Sequence, residues 1–64
     1  MKRSAFLKYL KANGCILVRE GAKQSLYLNT NNGKKSTVGR HSELSNLMCN
    51  IICKQLDIPS FNDG

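Results

Sequence analysis

The sequence predicts an α+β domain in which two helices pack on a three-stranded antiparallel sheet, in the order α-β-β-β-α. An apolar stripe with helical spacing runs through residues 43–56. Three short strand-like segments with turn signals between them precede it, and a shorter amphipathic segment comes first. At 64 residues the chain has the size of one small domain, which we expect to span residues 1–64. Two helices on one sheet face make a two-layer sandwich and leave the other face open.

The first predicted helix covers residues 4–13. Its apolar side chains share one side of the helix and are Phe6, Leu7 and Leu10. Ser4 is the expected N-cap. Gly14 follows as a stop signal, because glycine adopts the left-handed conformation cheaply after a helix.

The three strands are expected over residues 15–20, 24–30 and 34–39. The first is a β-branched apolar run and the second alternates, so Leu26 and Leu28 share one face. Simple alternation places Gln24 on the face of these leucines, unless a bulge near the turn shifts it. Residues 20–23 form the first turn, and Asn31-Asn32-Gly33 is a strong signal for the second.

The second predicted helix covers residues 43–56. Ser42 is its expected N-cap, and Glu43 in the first turn would complement the helix dipole. The apolar stripe consists of Leu44, Leu47, Met48, Ile51, Ile52 and Leu56. Pro59 ends the helical region, and residues 60–64 form a short tail that we expect to be frayed.

The charge of the chain limits the classes of partner. Ten lysines and arginines against four acidic residues give a formal net charge of +6. A small domain with this excess usually meets nucleic acid, an anionic membrane surface or an acidic protein. No apolar run approaches the roughly 20 residues of a transmembrane helix, and lysines interrupt the N-terminal segment where a signal peptide would be apolar. We expect a cytoplasmic protein without a membrane partner.

The three cysteines and the single histidine are the residues that could suggest a metal centre. Cys49 and Cys53 would share one helix face, and His41 lies upstream of them. No fourth ligand stands at a suitable spacing, and an odd cysteine count without an export signal argues against a disulfide framework. Free cysteine is a common small core residue. We expect all three, including Cys15, in the core, with neither a metal nor a small-molecule cofactor.

Basic side chains at strand ends and in loops are the strongest functional lead, and they are Arg19, Lys23, Lys34, Lys35 and Arg40. The predicted meander would gather several of them around one sheet edge, and phosphate contacts need such a cluster. The alternative is that these side chains only keep the surface soluble. Histidine is the side chain best suited to acid–base chemistry near neutral pH, but a lone histidine before a helix, such as His41, is more often a turn or capping residue.

Four short motifs follow one another in a characteristic order. They are a first helix that ends in Asn13-Gly14-Cys15, then LVREGAKQSLY at residues 17–27, STVGRHSEL at residues 36–44 and LDIP at residues 56–59. In this order and spacing the chain resembles the HicA toxins of bacterial HicA–HicB toxin–antitoxin pairs. The resemblance extends over residues 6–59.

The resemblance implies the toxin of a type II system, an mRNA interferase that cleaves mRNA and arrests growth. It implies a HicB antitoxin that covers the active site, and a fold similar to the double-stranded-RNA-binding domain. In the family hairpin, a glycine near the turn precedes a catalytic histidine at the start of the second strand. Gly21 fits the glycine and Tyr27 fits the aromatic residue that follows, so the histidine position falls on Gln24.

Gln24 therefore departs from the family pattern at its catalytic residue. RNA cleavage through the 2′-hydroxyl needs proton transfer that an imidazole provides and an amide does not, and losing such a group costs about 10²–10⁴-fold in rate. Glutamine is close to histidine in size and still forms hydrogen bonds, so we expect the fold and the RNA and antitoxin contacts to remain while turnover is lost. Two explanations stay open, an engineered substitution and a naturally degenerate toxin. The first is favoured because a working toxin is hard to produce without its antitoxin.

The residues expected to bind RNA around Gln24 are Arg19, Lys23, Lys34, Lys35, Arg40 and His41. His41 lies in a stretch similar to the family's second motif, which usually has proline where Gly39 stands, and there it would position RNA or support the hairpin. Two alternatives to a nuclease remain. One is a non-enzymatic RNA-binding module that holds structured RNA by shape and backbone, and the other is a basic domain that binds only an acidic protein.

Overall fold

Two helices pack on one face of a three-stranded antiparallel sheet. The computed structural model describes residues 2–60. The elements in chain order are α1 (Arg3–Ala12), β1 (Cys15–Glu20), β2 (Gln24–Asn29), β3 (Lys35–Gly39) and α2 (Asn46–Leu56). The strands lie in the order β1-β2-β3. The α-β-β-β-α prediction is confirmed, whereas the predicted tail falls outside the described residues except for Ser60.

The core lies between the helices and the sheet. Its buried apolar side chains are Phe6, Leu10, Cys15, Tyr27, Val38, Leu44, Cys49, Ile52, Cys53 and Leu56. All three cysteines lie within this cluster as thiols and not as disulfides, so the expectation that they are core residues is confirmed. Burial raises the pKa of the Cys15 thiol, which keeps it protonated and unreactive.

The start of α1 differs from the prediction. The helix begins at Arg3, and Lys2 is the N-cap without a side-chain capping bond, so the assignment of Ser4 as N-cap was wrong. The reason is a tertiary contact: the Arg3 amide donates to the Ser42 carbonyl at 2.9 Å, which satisfies one of the first helical N–H groups from outside the helix. The predicted stop is confirmed, because Gly14 adopts a φ of +81°.

The start of α2 also lies later than predicted. Ser45, rather than Ser42, is the N-cap, and its Oγ accepts a hydrogen bond from the Met48 amide at 3.1 Å. Glu43 therefore precedes the helix, where it forms a β-bridge with Lys2. The segment before α2 is held against the start of α1, so the second available serine caps the helix.

The buried face of α2 is rotated relative to the predicted apolar stripe. Leu44, Ile52 and Leu56 are buried as the stripe predicts. Its other members, Leu47, Met48 and Ile51, are exposed, and the small side chains of Cys49 and Cys53 take their place against the sheet. Leu47 is 71% exposed. Thiols at the contact allow the helix to approach the sheet closely.

A bulge in β1 determines which side chains reach each face of the sheet. Leu17 pairs with Tyr27 and Arg19 pairs with Leu26, so Val18 is an extra residue on β1. Regular alternation would turn Arg19 toward the helices. The extra residue turns it to the open face instead.

The central strand β2 buries polar side chains and leaves its leucines half-buried on the open face. Ser25 and Asn29 are buried, and Gln24 is exposed on the side of Leu26 and Leu28, as simple alternation predicts. The bulge lies in the neighbouring strand, so it does not disturb this alternation.

Each buried polar side chain of the sheet bonds to a helix or a loop. Asn29 Nδ2 donates to the Leu56 carbonyl at the end of α2 at 2.8 Å, and Asn29 Oδ1 accepts from the Asn31 amide at 2.9 Å. Ser36 Oγ donates to Gln55 Oε1 at 2.6 Å. Within residues 2–60, no buried side-chain nitrogen or oxygen lacks a partner.

We expect Asn29→Ala to lower the free energy of unfolding by about 1–3 kcal/mol, because it removes the hydrogen bond to the Leu56 carbonyl and the one from the Asn31 amide. The Leu56 carbonyl then keeps only the bond from Asn32 Nδ2 at 3.2 Å. Urea denaturation measures this change. Asn50→Ala, an exposed change in α2, should stay within about 0.5 kcal/mol. Equal effects of the two substitutions would contradict the role given to Asn29.

Candidate functional site

A shallow hollow lies on the open face of the sheet, at the end where β1 turns into β2. Its volume is about 330 Å³, and its lining consists of the turn at Gly21 and Ala22 together with Arg19, Lys23, Gln24, Leu26 and Thr37. Three residues predicted for the site, Arg19, Lys23 and Gln24, therefore meet in one place. The hollow carries positive charge next to an apolar floor, which suits a phosphate-bearing ligand with a flat, partly apolar group.

The turn fixes Gln24 at the rim of this hollow. The Gly21 amide donates to the Gln24 carbonyl at 2.8 Å and closes the turn. A Cβ on residue 21 would lie 2.8 Å from the same carbonyl oxygen, so only glycine permits this approach. Gln24 pairs with Gly39 across β2 and β3, and its side chain is exposed.

The bulge brings Arg19 to the same place. Because Val18 is the extra residue, Arg19 lies opposite Leu26 on the open face. Thr37 lies opposite Leu26 on the other side of β2. One row across the sheet therefore presents a cation, an apolar side chain and a hydroxyl beside Gln24.

His41 lies beside the hollow and not in its lining. A neighbouring depression of about 340 Å³ is lined by Ala22, Lys23, Arg40 and His41. His41 Cδ2 lies 3.7 Å from the position that a Cβ on Gly39 would take. Gly39 pairs with Gln24, so the imidazole is next to the strand partner of Gln24. Ala22 and Lys23 line both depressions.

Arg40 supports the turn. Its Nε and Nη2 donate to the Gly21 carbonyl at 3.0 and 2.5 Å, and its Nη2 lies 3.1 Å from Glu20 Oε2. The guanidinium thus joins the end of β3 to the turn that positions Gln24. Its predicted contact with RNA stays a prediction, and its charge is already paired with a carboxylate.

A chain of polar contacts continues from Glu20 into α1. Ser25 Oγ donates to Glu20 Oε1, and Arg3 Nη2 donates to Ser25 Oγ at 3.0 Å. Arg3 Nε donates to the Gly39 carbonyl at 2.8 Å. The Ser25 hydrogen bond, followed by the charges of Arg40 and Arg3, holds the pKa of Glu20 below its ordinary value. These contacts tie the hairpin, the end of β3 and the first helix together under the hollow.

Lys34 and Lys35 lie at the opposite end of the sheet. Lys34 Nζ lies 3.9 Å from Asp57 Oδ2, beyond the end of α2. Lys35 pairs with Leu28, four residues along β2 from Gln24, which corresponds to about 13 Å. The structure therefore divides the predicted RNA-binding residues between the two ends of the sheet.

Sequence reasoning missed Arg3 and Thr37. Thr37 follows from the strand register once Gln24 is paired with Gly39, because its side chain then falls on the open face. No local signal marks Arg3, whose partners lie 22 and 36 residues away.

The hollow holds the amide of Gln24 at the position where the resemblance to the HicA toxins implies a histidine. An amide can donate and accept hydrogen bonds but does not transfer protons near neutral pH. Among residues 2–60, no group of three or more His, Cys, Asp or Glu side chains is arranged to hold a metal ion. Over the same span, neither helix is long and apolar enough to cross a membrane.

Comparison with known proteins gives no independent assignment. The chain matches no family model, no curated protein and no solved structure. Its relation to the HicA toxins stays a hypothesis based on the four sequence motifs and their order.

Acid should destabilise the fold through Glu20. A carboxyl group with a lower pKa in the folded chain adds stability that is present above its unfolded pKa and is lost as pH falls through the folded pKa. We expect the free energy of unfolding to fall more steeply in the native chain than in Glu20→Gln as pH falls below the ordinary pKa of a glutamate side chain. Urea denaturation at each pH measures the difference, and parallel curves would contradict the stated role of Glu20.

Proposed function

We propose that this chain is a HicA-type mRNA interferase, the toxin of a type II toxin–antitoxin pair, in a form disabled by Gln24. The observation that carries the proposal is the position of this side chain. It is exposed at the start of β2, in a hollow that also contains Arg19 and Lys23. An imidazole in its place would face the same cationic surface.

The roles of the surrounding residues follow from their chemistry. Arg19 and Lys23 neutralise phosphates on either side of the scissile bond. Thr37 offers a hydroxyl to the ribose, and Leu26 provides an apolar surface for a base. With histidine at position 24, the imidazole would take the proton from the 2′-hydroxyl or give one to the leaving oxygen. Glutamine leaves RNA binding in place and removes proton transfer.

The proposed partners are mRNA and a HicB-like antitoxin in the cytoplasm. An antitoxin that covers the hollow would place acidic groups against Arg19 and Lys23, and the net charge of +6 favours fast association with such a protein. Glutamine at position 24 is either an engineered substitution or a natural degeneration of the site, and the codon in the source gene distinguishes these origins.

A second candidate function is RNA binding without catalysis. The observation that favours it is the lining of the hollow, which contains cations, an amide, a hydroxyl and an apolar floor but neither a carboxylate nor an imidazole. Such a site holds RNA through phosphates and shape. In that case a histidine at position 24 would bring no cleavage.

Gln24→His tests the proposal. We expect it to raise the rate of RNA cleavage by about 10²–10⁴-fold over the native chain, because it restores a general acid–base group. Cleavage of a labelled mRNA by purified protein, and growth arrest after induced expression, measure the effect. Lys35→His is the matched control, since it places an imidazole on the same open face about 13 Å away. If Gln24→His binds RNA but leaves it intact, the chain is a binding module.

A smaller effect is expected from His41. Because its ring lies beside Gly39, outside the lining of the hollow, His41→Ala in the Gln24→His background should reduce cleavage by less than about tenfold. Removal of a general acid–base group would lower the cleavage rate by about 10²–10⁴-fold. A loss of that larger size, with RNA affinity unchanged, would make His41 a catalytic residue and contradict this assignment.

A further inference from the structure

A groove separate from the hollow runs between α1 and the free edge of β1. Its volume is about 470 Å³, and its lining includes Leu7, Lys8 and Lys11 from α1 together with Ile16, Leu17 and Tyr27 from the sheet. It shares no lining residue with the hollow that contains Gln24. A ligand in this groove would therefore contact none of the residues that line the hollow.

The edge of β1 is unusually apolar. β1 is an outer strand of the sheet, and an outer strand presents unpaired backbone N–H and C=O groups that can accept another strand. Ile16, Leu17 and Val18 are 49%, 46% and 49% exposed. Protein edges are usually protected by charged side chains or proline, and these three consecutive positions carry neither.

One side of α1 forms the wall of the groove. Ser4, Leu7, Lys8 and Lys11 all line it, and their spacing of three, one and three residues places them on a single helix face. Seven residues of helix measure about 10 Å, which equals about three residues of extended strand. The wall therefore has about the length of the stretch of β1 from Cys15 to Leu17, in which Cys15 is buried and Leu17 is exposed. The bulge at Val18 ends the regular edge there.

The charge of the groove selects its occupant. Its lining contains Lys8 and Lys11 and no acidic residue. A second copy of this chain, paired edge to edge through β1, would bring four lysines to one seam between molecules that each carry a net charge of +6. At the same positions an acidic partner would be attracted electrostatically, whereas a second copy would be repelled.

We infer that the β1 edge is a docking site for an extended acidic segment of another protein. The segment adds to the sheet as a fourth strand, with backbone hydrogen bonds to Leu17, whose N–H and C=O point away from β2. Its apolar side chains fill the groove beside Leu7 and Tyr27. Its Asp or Glu side chains face Lys8 and Lys11.

Selection from a displayed library of random peptides of about ten residues tests this inference with the native chain. We expect the enriched peptides to alternate apolar residues with Asp or Glu. Titration of one synthetic enriched peptide should shift the backbone amide signals of β1 in nuclear magnetic resonance spectra.

Two variants and two matched controls locate the site. Leu17→Ser, and the double change Lys8→Glu with Lys11→Glu, should each weaken binding of that peptide by at least about tenfold. Leu47→Ser and Lys54→Glu make the same types of change on exposed positions of α2 and should leave affinity within about twofold. Lys8 and Lys11 are exposed on α1, so we expect the double lysine variant to fold. It therefore tests the site even if Leu17→Ser does not fold.

Several results would overturn the inference. They are a failure to enrich any peptide, enrichment of peptides without acidic residues, and loss of binding in the α2 controls instead of the β1 and α1 variants. Sedimentation that shows a dimer broken by Leu17→Ser would assign the edge to a second copy. Loss of RNA affinity in the lysine variants with peptide binding intact would assign the groove to RNA. RNA cleavage by Gln24→His is measured separately, so failure of the nuclease proposal is distinguishable from failure of this one.

Discussion

The hydrogen bonds of two buried side chains in the central strand hold the fold together. Near the first end of β2, Ser25 joins Arg3 of α1 to Glu20 of β1. At the other end, Asn29 donates to the Leu56 carbonyl at the C-terminus of α2. A buried polar group without a hydrogen-bond partner destabilises the fold by about 1–3 kcal/mol. These contacts therefore fix both helices relative to one strand. The face of β2 that carries them must turn inward, and its leucines turn outward.

The outward leucines explain the character of the open face. Leu26 and Leu28 are half-buried there beside cations and a hydroxyl, so the surface offers both apolar area and charge. Two of the predicted cations are partly neutralised, since Arg40 pairs with Glu20 and Lys34 lies near Asp57. The positive field of the hollow therefore depends mainly on Arg19 and Lys23. The bulge at Val18 supplies the first of these two charges.

Local pattern was enough to predict the order of the elements, because this order depends on periodicity over a few residues. Alternation also indicated the face that carries Gln24, but a bulge near the turn stayed open as an alternative until the strand register was known. The N-cap of α2 was missed because Ser42 and Ser45 are equally good caps by local sequence. A contact between Ser42 and α1 leaves Ser45 to cap the helix. The position of Arg19 required the pairing register of β1 with β2. The rotation of α2 was missed because Cys49 and Cys53 were left out of the apolar stripe. The role of Arg3 depends on partners far along the chain, which periodicity does not reveal.

The labelling rates of the three core thiols would report local opening of the folded chain. Cys15 belongs to β1, while Cys49 and Cys53 belong to α2, and all three are fully shielded in the folded chain. A thiol-reactive reagent reaches such a side chain only when its element opens. Labelling rates in the native state therefore compare the opening of the sheet edge with the opening of the second helix. If β1 separates from the core before α2 does, Cys15 is labelled first, and the edge beside the groove opens more readily than the second helix.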